Sequence, residues 1–150
     1  MHPLLTFQPA DLHCARYNPR AAAQEALRAE IVNAPTLASA AQIMQVDASR
    51  YKPRWTGEDV DPARFEGWRV SGSAAYDRQM CVSAYLHALA YARPLPRLRC
   101  PERRARAVRT IRACAAAVRV RAWHLDREVA ERDAAEIEAL LLAVCHPVPT

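Results

Sequence analysis

Glycine is nearly missing from this chain. Its 150 residues hold only Gly57, Gly67 and Gly72, all inside one short window. Outside that window no glycine interrupts a helix. The same scarcity removes whole classes of chemistry. There is no G-x-x-x-x-G-K or G-x-G-x-x-G loop to cradle a phosphate. There is no G-x-S-x-G nucleophile elbow. Lysine is scarcer still, with Lys52 alone against 20 arginines. Together with abundant alanine and 11 prolines, this matches the codon usage of a GC-rich genome.

The five cysteines, Cys14, Cys81, Cys100, Cys114 and Cys145, are odd in number and form no C-x-x-C. They read as reduced thiols, with Cys81 and Cys114 as small core hydrophobes. No apolar run approaches a membrane span. The opening residues lack the basic start and long apolar stretch of a secretory leader. The expectation is a cytoplasmic protein without a membrane segment.

What remains favours helix. Hydrophobic residues make up 51% and charged residues 25%, an ordinary globular balance. A single all-α domain over 1–150 is expected, a bundle of four to five helices with residues 1–18 as a partly irregular arm. Asn18-Pro19 caps and starts the first helix, with Leu27 and Ile31 in its apolar stripe. "TLASAAQIMQV" gives a short second helix, with Leu37, Ala40, Ala41 and Met44 on one side.

Residues 47–72 form an aromatic-rich loop containing Tyr51, Trp55, Phe65 and Trp68, with a short helix from Asp61-Pro62 to Trp68. Ser71 or Ser73 caps the next helix. That helix, through Leu86 and Leu89, is apolar on more than one side and therefore central. Within it, His87 reads as a core histidine satisfied by a hydrogen bond.

From Pro101 onward, Val108, Ile111, Ala115, Val118, Ala122, Leu125 and Val129 recur at alternating steps of three and four. The stripe then shifts to Ala130, Ala134, Ile137, Leu141 and Val144, with Arg132 and Glu136 in the old seam. Opposite charges four apart, such as Glu128 and Arg132, favour one continuous helix to Cys145. "DAAE" at 133–136 offers the alternative, a capping box opening a new helix. A continuous rod of about 65 Å would outgrow a small bundle, so self-association into a homo-oligomer is expected.

Charge is distributed unevenly. Residues 1–92 balance, residues 93–121 carry ten arginines against Glu102, and residues 122–150 carry two arginines against six acids. The lead expectation is therefore a non-enzymatic binding or regulatory protein. Its Arg-rich helix, through Arg97, Arg99, Arg103, Arg104, Arg106 and Arg109, would hold nucleic-acid phosphates. An acidic protein is the other partner such a helix fits. On a helical wheel these arginines do not gather on one face, and the plain alternative is a solvated helix whose arginine stems cover the core rim.

The second expectation is a protein–protein adaptor or inhibitor using Tyr51, Arg54, Trp55 and Trp68 as its contact. In "RYKPRW" bases can also stack on the rings while cations hold phosphates. A third reading is catalytic. Arg119 and His124 share the R-x4-H spacing of all-helical ribonucleases of the HEPN type. Two residues do not make a family match, and Val120 stands where a polar residue belongs. His13-Cys14 and Cys145-His146 are soft metal ligands, but adjacent pairs suit one tetrahedral ion poorly. No metal and no cofactor is expected.

Overall fold

The computed structural model describes residues 18–52, 74–122 and 126–145. These form an all-α bundle with no strand among the described residues. The helices are α1 (Pro19–Asn33), α2 (Leu37–Ile43), α3 (Ala74–Ala92), α4 (Pro101–Ala122) and α5 (Arg127–Cys145). Single 3-10 turns follow α2 at Ala48–Arg50 and α3 at Leu95–Arg97. The expected arm, the Asp61–Trp68 helix, most of the aromatic loop and the Ser71 or Ser73 cap lie outside the described residues.

Local chemistry sets the helix ends. Asn18 Oδ1 accepts from the backbone N–H of Arg20 at 3.1 Å and Ala21 at 3.2 Å, ahead of Pro19 at the first position. Thr36 and Ser39 cap α2 reciprocally, at 2.9 and 3.0 Å. The far end of α2 closes without glycine. Val46 N–H donates to the Ala41 carbonyl and Gln45 N–H to that of Gln42, which is the Schellman pattern. Gln45 takes the left-handed position with φ of 59°. Glycine normally fills that place because a Cβ is disfavoured there.

α3 is the hub, as its all-round apolar character predicts. It packs against α4 most extensively, and also against α1, α2, α5 and both 3-10 turns. Val82, Leu86 and Ala88 of α3, Ile111, Cys114 and Val118 of α4, and Ala134 and Ile137 of α5 form the dry centre. Cys81 and Cys114 are buried in the core, as expected. Burial pushes the Cys114 thiol up to about 12. Leu27, expected in the α1 stripe, is instead 43% exposed, while Ile31 is buried.

The continuous helix from 101 to 145 is corrected. Asp126 stands outside helix and accepts the Glu128 N–H on Oδ1 at 2.7 Å, while its carbonyl takes Ala130 N–H at 2.9 Å. The chain therefore restarts at Arg127, and α5 folds back along α4 in an extensive interface. The change of stripe near residue 130 marks this reversal. Ile111, Ala115 and Val118 face the core from one helix, and Ala130, Ala134, Ile137 and Leu141 from the other. With the protruding rod gone, so is the ground it offered for self-association.

The "DAAE" segment does not open a helix either. Asp133 lies within α5, fully buried, and pairs with the equally buried Arg78 of α3. Arg78 also donates through Nη2 to the carbonyl of Ala34, at the end of α1, at 2.8 Å. Burial raises the Asp133 carboxyl above its ordinary value, against the pull of Arg78 and Arg132. One turn on, Glu136 accepts the N–H groups of Leu37 at 2.6 Å and Ala38 at 3.0 Å. It caps a helix, but that helix is α2, about a hundred residues earlier. These two acids lock α1, α2, α3 and α5 together.

Candidate nucleic-acid interface

The basic surface begins where α3 ends. Leu95 is buried and anchors the 3-10 turn, and the prolines around it restrict the backbone of the link to α4. Arg104 reaches back from α4, with Nη1 donating to the carbonyls of Leu95 at 2.8 Å and Leu98 at 3.0 Å. The sequence places Arg104 among the phosphate ligands, but in the fold it is half-buried and holds this link. Arg93 is engaged similarly, through Nη1 on the Ala48 carbonyl at 2.8 Å. Arg97 and Arg99, between these clamps, are exposed.

On α4, Arg103, Arg106, Arg109 and Arg112 are all exposed. They recur every third residue, so they form one ridge that winds around the helix over about 13.5 Å. Behind the ridge Ala107, Thr110 and Ile111 are buried, and Thr110 Oγ1 donates to the Arg106 carbonyl at 2.8 Å. The helix is therefore pinned along its inner side while the arginines stand outward. Searching for a single face misses this row because a three-residue step rotates by about 60° each time. Arg112 is the member that sequence reasoning omits from the site. The regular spacing 103, 106, 109, 112 is the available signal.

This placement works against the stability of α4. Like charges at neighbouring helical positions repel. Cations at a helix N-terminus also oppose the macrodipole, which favours acids there. Glu102 is the acid of the first turn. Among the described residues no ion pair links Arg97, Arg99, Arg103, Arg109 or Arg112 to a carboxylate. The exposed Cys100 thiol reports the local field. The backbone N–H groups of Arg103 and Glu102 hold it below the ordinary thiol value, and the Arg103 and Arg106 charges act in the same direction.

Beside the ridge lies a cleft of about 280 Å³, lined by Tyr91, Pro94, Leu98, Arg103, Arg106 and Ala107. A larger groove of about 470 Å³ runs between α4 and α5 at Arg112, Arg119, Glu138 and Leu142. There Arg119 is neutralised within the fold: Nε donates to Glu131 at 3.2 Å and Nη2 to Glu138 at 2.5 Å. Burial opposes its charge, but these two carboxylates hold its pKa above the ordinary value.

The remaining candidates scatter. Tyr51 is turned inward, its hydroxyl 2.8 Å from His87 Nδ1 and 3.0 Å from Ser83 Oγ, its ring edge-on to the imidazole. It plugs the bundle rather than presenting a contact. His87 is thereby the satisfied core histidine that the sequence predicts. Arg54, Trp55, Trp68 and His124 lie outside the described residues, as do His13, Cys14 and His146. No group of three metal-ligating side chains occurs among the described residues. No described helix is long and apolar enough to cross a membrane. Compared with known proteins, the chain matches no family model, no curated protein and no solved structure.

Proposed function

We propose that this protein is a non-enzymatic nucleic-acid-binding protein whose contact surface is the α4 arginine ridge with Arg97 and Arg99. The observation that carries the reading is the exposed row Arg103, Arg106, Arg109 and Arg112, which begins in the first turn of a helix. There Arg103 opposes the helix macrodipole, and along the row each like charge repels the next. An arriving phosphate relieves the repulsion, gains bidentate hydrogen bonds, and releases counterions. Such contacts position a strand without reading its sequence.

Fluorescence anisotropy with generic DNA and RNA, titrated with salt, tests this. Affinity falls steeply as salt rises, and replacing Arg103, Arg106 and Arg109 by alanine flattens the log–log slope. The slope should drop by about 0.7–0.9 for each phosphate that is no longer neutralised. Binding that is indifferent to salt, or to these three replacements, overturns the reading.

Two other readings give different outcomes in the same experiments. An adaptor or inhibitor working through Arg54, Trp55 and Trp68 loses its partner on Trp55→Ala and keeps it when the ridge is neutralised. Tyr51 is already engaged within the bundle, which weighs against it as part of that contact. A ribonuclease cleaves RNA and stops on His124→Ala. The carboxylates on Arg119 weigh against its use on a phosphorane.

A further inference from the structure

We infer that the cleft between α3 and α4 receives one unpaired base, while the phosphates flanking that base lie on Arg103 and Arg106; the protein is thus a binder of single strands rather than of duplex. This rests on the nucleic-acid reading above and names the form of the ligand.

Three properties of the cleft combine. First, its composition is divided. Tyr91, Pro94, Leu98 and Ala107 make an aromatic and aliphatic wall, and two guanidinium groups stand at its border. That division suits a ligand with an apolar planar part joined directly to an anion. Unpaired nucleotides have this character, since every base offers a π-face and every sugar a phosphate.

Second, its size is restrictive. About 280 Å³ lies just under the roughly 300–1,000 Å³ of small-molecule sites. That volume admits a nucleobase. Third, its position is concave, at the corner where α3 turns into α4. A base inside a duplex is stacked and paired, and entering such a corner means extracting it first. A single strand enters without that cost and continues along the ridge toward Arg109 and Arg112.

The corner is also stiff. Leu95 is anchored in the core, and Arg104 clamps the carbonyls of Leu95 and Leu98. The backbone that carries Pro94 and Leu98 is thereby fixed before the ligand arrives.

The test compares a short oligothymidylate with the same strand annealed to its complement, at matched salt, by anisotropy on the full chain. The unpaired strand should bind at least about 10-fold tighter. Tyr91→Ala should weaken it by about 10-fold, in the range seen when a stacking aromatic is removed. Tyr91→Phe should retain it, and duplex binding should not change in either variant. Circular dichroism checks that Tyr91→Ala folds. Photocrosslinking the unaltered protein to a strand carrying 5-iodouridine gives a readout that needs no variant. The crosslinked peptide should contain Tyr91 or Leu98. Equal affinity for both forms, or crosslinks confined to other segments, overturns the cleft assignment while salt-dependent binding through the ridge stands. Absence of binding to either form removes the nucleic-acid reading itself. Displacement of the strand by an acidic aromatic peptide at lower concentration assigns the cleft to a protein partner instead and overturns the inference.

Discussion

Arg78 and Arg109 both sit within helices, yet their surroundings are opposite. Arg78 is fully buried, pairs with Asp133, and holds the carbonyl of Ala34 at the end of α1. Arg109 reaches solvent, with other arginines three residues to either side. The first belongs to a junction where charge ties helices together; the second to a surface ridge of like charges. A protein that uses arginine for nearly all its cations cannot be read from residue type alone. Which arginines hold the fold and which face outward is decided by what lies opposite them.

Substitutions at the two regions should separate accordingly. The largest effect is expected at the junction. Replacing Asp133 by alanine leaves the Arg78 guanidinium buried without its counter-charge, and should cost about 3–5 kcal/mol in chemical denaturation. The paired replacement Arg78→Met with Asp133→Leu should recover much of that loss, because a buried ion pair contributes little over a well-packed apolar pair. Equal loss in the single and paired variants would show that packing, not charge, makes the junction.

Next comes Glu136→Ala, which frees the Leu37 and Ala38 N–H groups at the start of α2. A loss of about 2 kcal/mol is expected, since two charge-assisted hydrogen bonds go at once. Glu136→Gln should lose less, because one amide oxygen still accepts.

On the ridge the sign should change. Arg109→Gln with Arg112→Gln removes like-charge repulsion, so the melting temperature should hold or rise by no more than about 2 °C. A clear fall would mean that these side chains support the bundle, and would bring the two regions together. The smallest effect is expected away from both. Gln45→Gly relieves the left-handed position after α2, offset by added freedom in the unfolded chain, for a net gain of about 0.5 kcal/mol.

Much of the bundle is legible in the sequence. The Asn18-Pro19 start, the buried side of α2, the central place of α3, and the buried states of His87, Cys81 and Cys114 follow from capping chemistry and apolar spacing. Both are local. The turn between α4 and α5 is harder to read, because the i, i+4 charge pairs of 127–136 support a helix equally well whether or not it begins at Arg127. The roles of Asp133 and Glu136 are out of reach, since their partners lie 55 and about a hundred residues away. One hint exists. Arg78 stands in a helix apolar on several sides, so it has to be buried and has to find an acid. For the candidate site, the excess of arginine from 93 to 121 is plain, while Arg104's clamp and the Tyr91 cleft depend on how the α3–α4 corner closes.

By itself the sequence determined that this chain is helical, where several of its helices start, which sides of them are apolar, and that positive charge gathers in one stretch. These are properties of neighbours within a few residues, where propensity, capping and periodicity act. The tertiary structure alone decided which arginines are neutralised inside the bundle and which stand on a ridge beside a cleft. That choice rests on pairings between distant residues, whose strength depends on burial and distance in space.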